Sequence, residues 1–127
     1  MTLATVAAAS GEDVVPFDMS TTQRTVFSAF ARARRKFRGS RVCVIDVDDS
    51  ERTYDEIMRG TLALGSALRQ GTHQGESVGV LLPTGAGAIV AFLALSAYGR
   101  VPAMLNFTAG LAALKSALKT AQVKRIV

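Results

Sequence analysis

The stretch SVGVLLPTGAGAIVAFLALSAYGRVPAML, residues 77–105, decides the fold. Residues 77–82 are mostly apolar and lack the alternation of a half-exposed strand, which is typical of a strand covered on both faces. The elements predicted after them are a turn at Pro83-Thr84-Gly85, an apolar helix over residues 86–98 ended by Gly99, and a short strand over residues 101–105. A strand, a helix and a strand in this order predict a parallel pair joined by a right-handed crossover.

The residues after this stretch continue the alternation of helix and strand. Thr108 is the predicted N-cap of a last helix, and residues 124–127 predict the opening of a further strand. Helical spacing turns four apolar residues inward and two lysines outward, namely Leu111, Leu114, Leu118 and Ala121 against Lys115 and Lys119. The expected fold class is therefore α/β, a parallel βαβαβ sheet with helices on both faces.

A helix is predicted before this sheet, near the start of the chain. Ser20 and Gln23 have the spacing of a capping box, and Gly39 is the predicted stop. The apolar residues that share one face of this helix are Val26, Phe27, Phe30 and Phe37.

A short hairpin and a second helix follow in the sequence. Residues 41–47 are rich in β-branched side chains and predict a strand or one arm of a hairpin, with a turn at Asp48-Asp49-Ser50. Thr53 and Glu56 have the spacing of a second capping box, which opens a helix that runs to Gly71.

The composition limits the classes of protein. The chain has 127 residues, of which 49% are apolar, so it holds one domain at most with ample material for a core. Its single Cys excludes a disulfide framework and a thiolate-rich zinc site. Residues 1–19 lack periodicity, and we expect a poorly ordered leader or linker there, before the folded residues 20–127. The start has no signal-peptide pattern, so a cytoplasmic location is expected.

The formal net charge of +5 is distributed in segments. Residues 24–41 hold seven basic side chains and no acid, whereas residues 46–56 hold six acids and one base. No carboxylate follows Glu76, which removes metal-binding acids, a carboxylate general base and a ribose-binding acid from the most apolar part of the chain.

Residues 77–99 are an uncharged stretch of 23 residues, long enough on paper to cross a membrane. Pro83, Thr84, Gly85 and Gly87 divide the stretch into a strand and a helix of about 13 residues. That helix would be about 20 Å long, short of a hydrocarbon core of about 30 Å. A small membrane-inserted protein is therefore kept as a third alternative.

Two motifs suggest phosphate chemistry. Gly85-Ala86-Gly87 lies between a strand and a helix, as in dinucleotide-binding loops, but Val90 replaces the third glycine and residues 105–107 lack the ribose-binding acid. We interpret these glycines as tight strand-to-helix packing. Asp46 and Asp48 are similar to the nucleophile loop of haloacid-dehalogenase-type phosphatases and to the acidic pocket of receiver domains. Both chemistries need later acids that the sequence lacks, so a solvated acidic turn is predicted.

Other candidate residues favour structural roles or stay open. His73 stands alone in a polar loop and is predicted to be a surface residue, while Cys43 lies mid-strand and is predicted to be a buried, inert thiol. Basic side chains crowd the C-terminal half of the first helix, at Arg32, Arg34, Arg35, Lys36 and Arg38. No nucleic-acid motif accompanies them, so no nucleic-acid partner is expected. A solvated face and contact with anionic lipid remain open.

Three segments together resemble the N-terminal part of the AMP-forming acyl-CoA synthetase superfamily, the adenylating enzymes. They are RTYDEI at residues 52–57, GVLLP at 79–83 and AYGRVPAMLN at 97–106. Within the superfamily, residues 100–110 are most similar to the synthetase half of the 2-acylglycerophosphoethanolamine acyltransferase/acyl-[acyl-carrier-protein] synthetases, which are bifunctional and membrane-associated. The resemblance covers residues 20–127 and implies part of the large N-terminal domain of an adenylate-forming enzyme.

The resemblance implies an N-terminal fragment of an ATP-dependent fatty acyl-ACP or acyl-CoA synthetase. Such enzymes form an acyl-adenylate with ATP and magnesium, then a thioester on coenzyme A or acyl carrier protein, and the thioester can feed lysophospholipid acylation. The family's catalytic, cofactor-binding and metal-binding motifs follow the matched region. No catalytic, cofactor-binding or metal-binding residue is therefore assigned, and the fragment alone is expected to be inactive.

The expected partners follow from the same interpretation. A sheet that ends at Val127 leaves an open edge, which favours a dimer or higher oligomer of the fragment. Peripheral association with the inner face of the cytoplasmic membrane is a further expectation. The alternative function is a stand-alone α/β module that binds a nucleotide or a partner at the carboxyl edge of its sheet.

Overall fold

The structure is a computed structural model that describes residues 16–127. Its helices are α1 (Val26–Phe37), α2 (Tyr54–Leu68), α3 (Ala86–Ala97) and α4 (Leu111–Thr120), after a 3-10 turn at Met19–Thr21. Its strands are β1 (Val42–Ile45), β2 (Glu51–Thr53), β3 (Ser77–Val80), β4 (Val101–Met104) and β5 (Arg125–Ile126). The leader expected over residues 1–19 lies for the most part outside the described residues.

Strand β3 lies at the centre of a three-stranded parallel sheet of order β4-β3-β5. It pairs in register along its whole length with β4, and Val78 and Gly79 pair with Arg125 and Ile126 of β5. The chain crosses from β3 to one neighbour through α3 and returns to the other through α4. Because right-handed crossovers in opposite directions place their helices on opposite faces, α3 and α4 lie on different faces of the sheet. The predicted βαβαβ sheet with helices on both faces is confirmed.

The antiparallel hairpin β1–β2 is also confirmed, and it stands apart from the parallel sheet. Its second strand leads directly into α2 through the predicted capping box. The Thr53 backbone N–H donates to Glu56 Oε2 at 2.7 Å, and the Glu56 backbone N–H donates to Thr53 Oγ1 at 3.3 Å. The box satisfies two donors at the start of the helix and fixes where the hairpin ends.

The core lies between β3, α3 and α2. Val78 and Val80 of the central strand are buried against Ala91 and Leu95 of α3, and α2 adds Leu64 and Leu68. Helix α3 contacts α1, α2 and the sheet. These contacts account for the apolar residues over most of the surface of α3, although Ile89 stays 38% exposed.

Helices α2 and α3 approach each other closely at Gly65. A Cβ atom at this position would overlap the ring of Tyr98 and lie 2.9 Å from the carbonyl oxygen of Ala94. The Tyr98 hydroxyl donates to the Leu62 carbonyl at 3.3 Å, and the Arg69 guanidinium lies 5.7 Å from the centroid of the Tyr98 ring. The close packing of the two helices therefore requires glycine at position 65.

The start of α1 differs from the prediction. Its N-cap is Thr25, whose hydroxyl oxygen accepts a hydrogen bond from the Ser28 backbone N–H at 3.1 Å. The capping box predicted at Ser20 and Gln23 is wrong, because the Ser20 N–H donates to the Asp18 carboxylate within the 3-10 turn. The Asp18 carboxylate therefore binds the Ser20 N–H within the 3-10 turn, and Ser20 does not begin an α-helix.

The end of α1 also differs by one residue. The C-cap is Arg38, which has a positive φ of 69°, and not the predicted stop at Gly39. Gly39 is needed for a different reason, since the Asp55 carboxylate lies where its side chain would be and the Asp55 N–H donates to its carbonyl at 2.9 Å.

Helix α4 begins later than predicted. Thr108 does not cap it, because the Thr108 N–H and hydroxyl both donate to Asn106 Oδ1, at 2.9 and 2.7 Å. Gly110 precedes the helix and supplies no side-chain cap. Leu111, predicted to face inward, is 67% exposed, whereas Leu114 and Leu118 are half-buried.

The turn before α3 separates strand from helix within the uncharged stretch, as the sequence predicts. No helix within residues 16–127 is long and apolar enough to cross a membrane.

Candidate functional site

An open apolar groove of about 800 Å³ lies at the carboxyl ends of β3 and β4, between α1, β1 and α3. Its larger apolar side chains include Val26, Phe30, Val44, Leu82, Phe92 and Met104. Of the described residues that line it, Asp46 and Thr84 alone have polar side chains. The carboxyl edge of a parallel sheet is the usual place for a ligand in open α/β folds, so this groove is the candidate site.

Asp46 connects the hairpin to the N-terminus of α3. Its Oδ2 accepts the Ala86 backbone N–H at 2.9 Å, and its Oδ1 accepts the Val47 N–H at 2.8 Å. A Cβ atom at Gly85 would lie 2.8 Å from Oδ1, so the glycine gives the carboxylate room to reach the helix. A carboxylate at this position satisfies an otherwise free donor and interacts favourably with the helix dipole.

This contact explains the first glycine of the Gly85-Ala86-Gly87 motif. In a dinucleotide-binding loop, the glycines let a pyrophosphate approach the helix N-terminus. Here the anion at that end of α3 is the Asp46 carboxylate of the same chain. The interpretation of tight local packing is supported at Gly85, whose packing partner is Asp46 of the hairpin. It is wrong at Gly87, where a Cβ atom would meet nothing within 4 Å.

The groove does not fit the phosphates of ATP. No lysine or arginine is found among its described lining residues, and the carboxylate at the α3 N-terminus would repel a phosphate. Residues 16–127 also contain no group of three or more side chains that could hold a metal ion. The groove is chemically suited to apolar contact.

The acidic turn between β1 and β2 is exposed, as predicted. Asp48 and Asp49 face solvent, and the Ser50 N–H and hydroxyl donate to Asp48 Oδ1 at 3.1 and 2.7 Å. These two donors hold the pKa of the Asp48 carboxyl below its usual value. Asp46 and Asp48 thus have separate partners, which does not support a shared phosphatase-like site.

Cys43 lies on β1 and is half-buried, whereas a buried thiol was predicted. Burial raises the pKa of the Cys43 thiol, which keeps it protonated at neutral pH. The expectation of an inert thiol is consistent with this environment.

His73 is exposed, in a loop at the amino edge of the parallel sheet. Its backbone N–H donates to Glu76 Oε2 at 2.8 Å, and the other oxygen of Glu76 pairs with Arg125. The His73 N–H and the Arg125 guanidinium together hold the pKa of the Glu76 carboxyl below its usual value. This ion pair joins the loop before β3 to β5.

Arg100 is a structural residue that the sequence reasoning missed. Its Nε donates to Thr72 Oγ1 at 2.9 Å, and its other guanidinium N–H groups donate to the carbonyl oxygens of Tyr98, Arg69 and Thr72. One side chain therefore ties the end of α2 to the loop between α3 and β4. It precedes β4, at the edge of the sheet opposite to the groove.

The basic side chains of α1 fall into two groups. Arg34 pairs with Asp55, with Nε 2.6 Å from Oδ1. The other basic side chains of its C-terminal half are exposed, namely Arg32, Arg35, Lys36 and, just beyond the helix, Arg38.

Residues 30–127 match the sequence profile of the AMP-binding enzyme family. This chain belongs to that family. The match covers the hairpin, α2, the whole parallel sheet and most of α1.

Solved structures of adenylating enzymes share the fold. The N-terminal subdomain of NpsA from Klebsiella oxytoca, in complex with anthranilyl-AMSN, is 22% identical with a TM-score of 0.75, over 81% of this chain and 26% of that one. A benzoate CoA ligase from Burkholderia xenovorans is 23% identical with a TM-score of 0.72, over 81% of this chain and 21% of that one. This AMP-binding enzyme chain thus spans about a quarter of the length of the structures it matches.

Within this AMP-binding enzyme chain, residues of the first and third segments that carried the resemblance have structural roles. Thr53 and Glu56 cap α2. Gly99 has a φ of 73°, which permits the sharp turn from α3 to β4, and its carbonyl accepts the Gly75 N–H at 2.8 Å. Pro102 lies in β4, an edge strand of the described sheet, where its missing N–H is tolerated. These contacts give the residues roles in capping a helix and in shaping the sheet.

Proposed function

We propose that these residues belong to an ATP-dependent fatty acyl-ACP or acyl-CoA synthetase, in which they provide part of the structural framework. The enzyme would join a fatty acid to AMP with release of pyrophosphate, then transfer the acyl group to the thiol of coenzyme A or acyl carrier protein. As in the bifunctional proteins that the sequence resembles, the acyl group would then serve lysophospholipid acylation.

The match of residues 30–127 to the AMP-binding enzyme family carries this proposal. The fatty acyl subtype is supported by residues 100–110, whose similarity to acyl-ACP synthetases was noted from the sequence. The proposal assigns ATP and magnesium to parts of the enzyme other than this groove, whose described lining offers no lysine or arginine for a triphosphate.

Carboxylate-dependent ATP–pyrophosphate exchange tests the proposal. The protein used is the product of the complete reading frame that contains these 127 residues. We expect exchange with long-chain fatty acids and little with benzoate or anthranilate, which represent the aryl acids of the structural neighbours. Thioester formation with coenzyme A and with acyl carrier protein, measured side by side, identifies the acceptor.

Each other outcome of the exchange assay contradicts a defined part of the proposal. Exchange with aryl acids and none with fatty acids contradicts the fatty acyl subtype and leaves a ligase. No exchange with any carboxylate contradicts the ligase function itself. In that case the alternative of a stand-alone α/β binding module, with the apolar groove as its contact surface, becomes the better account.

A further inference from the structure

The C-terminal end of α1 presents a dense group of exposed cations, here called the basic patch. It consists of Arg32, Arg35, Lys36, Arg38 and Arg41. Arg32, Arg35 and Lys36 have i, i+3 and i+4 spacing, so they share one face of the helix, and the other two follow at its end. These five side chains place five exposed positive charges around the end of α1.

Within residues 16–127, no ion pair joins a carboxylate to a side chain of this patch. Residues 24–41 contain no acid, and the ion pairs found in the described part of the chain join Arg34 to Asp55 and Arg125 to Glu76. The Asp55 carboxylate forms its ion pair with Arg34, and Arg34 does not belong to the patch. Concentrated positive charge that forms no ion pair within residues 16–127 favours an external polyanion.

The ring of Phe37 lies inside the patch and is 40% exposed. The Lys36 Nζ lies 5.2 Å and the Arg41 guanidinium carbon 5.5 Å from its centroid, and the Tyr54 ring stacks on it with centroids 6.5 Å apart. Cations and a second ring therefore already occupy the surroundings of this ring, which leaves no open platform for a nucleobase. An aromatic ring surrounded by cations is suited to the headgroup level of a membrane.

We propose that the basic patch binds the anionic headgroups of a phospholipid membrane. The guanidinium and ammonium groups would contact lipid phosphates, and the Phe37 ring would lie at the level of the headgroups. This surface lies outside the groove and does not depend on the proposed ligase function.

Vesicle co-sedimentation of the full chain tests this surface, with a tube without vesicles to control for self-association. We expect binding to vesicles of phosphatidylcholine with phosphatidylglycerol, no binding to pure phosphatidylcholine, and loss of binding in 0.5 M salt. The variant R35Q/K36Q/R38Q should lower the partition coefficient roughly 100-fold, since one basic residue near an anionic surface contributes about fivefold. The matched control K115Q/K119Q/K124Q removes three exposed lysines of the α4 region with the same change in net charge, and should retain most of the binding.

Three outcomes would overturn the lipid proposal. The first is equal binding to neutral and anionic vesicles. The second is an equal loss in both triple variants, which would mean that net charge alone matters. The third is binding of a single-stranded oligonucleotide at salt concentrations where anionic vesicles do not bind. Circular dichroism checks that the α1 variant folds, and R35K/R38K, which keeps every charge, should bind like the wild type.

Discussion

Helices α3 and α4 are both crossovers of one parallel sheet, yet they differ in burial and in capping. Five residues of α3 are buried, and none of α4 is. The N-terminus of α3 receives the Asp46 carboxylate from the hairpin, whereas the N-cap of α4 is Gly110, which has no side chain to accept a hydrogen bond. Topology alone therefore does not decide how much a crossover helix contributes to the free energy of unfolding.

The difference follows from what lies against each helix. The hairpin, α1 and α2 precede the sheet in sequence and pack on the α3 side, where they form the core and the groove. On the other face, Leu114 and Leu118 of α4 are half-buried. We expect α4 to unfold locally at lower free energy than α3.

The largest predicted effect is the loss of stability when a leucine of α3 is shortened, compared with the same change in α4. Leu95→Ala should lower the free energy of unfolding by about 3 kcal/mol, because it leaves a cavity in the closed core. Leu118→Ala should cost about 1 kcal/mol, because its site is half-open and water can fill the space. Urea denaturation measures both. Equal losses would show that the two faces of the sheet are equally packed.

Substitutions at two glycines test how closely α2 and α3 pack. Gly65→Ala should lower the free energy of unfolding by about 2 kcal/mol, since the new methyl group meets the Tyr98 ring and the Ala94 carbonyl. Gly87→Ala, in open space within α3, should raise it by about 0.5 kcal/mol through helix propensity. Thermal denaturation of the pair compares them, and a harmless Gly65→Ala would refute the close approach of α2 and α3.

The cap on α3 predicts a smaller effect. Asp46→Asn should lower the free energy of unfolding by about 1 kcal/mol, because the negative charge at the helix N-terminus is lost. Asp49→Asn is the matched control, since Asp49 is exposed in the same turn and Asn tolerates its φ of 59°. If the two variants are equally stable, the carboxylate does not cap α3 in solution.

The ion pair of Glu76 predicts a modest pH dependence on the β5 side. The folded pKa of Glu76 lies below its ordinary value of 4.5, so its contribution to stability is present above about pH 4.5 and is lost as the pH falls through the folded pKa. Glu76→Gln should flatten this part of the profile of unfolding free energy against pH. Arg125→Gln should flatten it less, because the His73 N–H is the larger cause of the shift. A profile unchanged in Glu76→Gln would contradict the assignment.

Local sequence signals predicted much of this fold. The apolar run broken by Pro83 and Gly85 indicated β3 and α3, and Thr53 with Glu56 marked the start of α2, because each signal acts within a few residues. Local signals failed where a nearby side chain accepted a hydrogen bond from the residue that was predicted to cap a helix. Asp18 took the Ser20 N–H, and Asn106 took the Thr108 hydroxyl, so both predicted caps were wrong.

The candidate site was less predictable, because its contacts join distant residues. Within the site, Asp46 reaches Ala86 across 40 positions, and at the opposite edge of the sheet Arg100 reaches Thr72 across 28. Neither contact follows from spacing or periodicity. The glycines of the Gly85-Ala86-Gly87 motif indicated a close approach to a helix N-terminus, but only the fold shows that a carboxylate of the chain itself makes it.

Acyl-dependent ATP–pyrophosphate exchange by the 127-residue chain alone tests the central claim most directly. The claim is that these residues provide structure and that adenylation depends on residues outside them. With fatty acid, ATP and magnesium present, the account predicts exchange no faster than in a reaction without protein. Robust exchange that requires the fatty acid would contradict it.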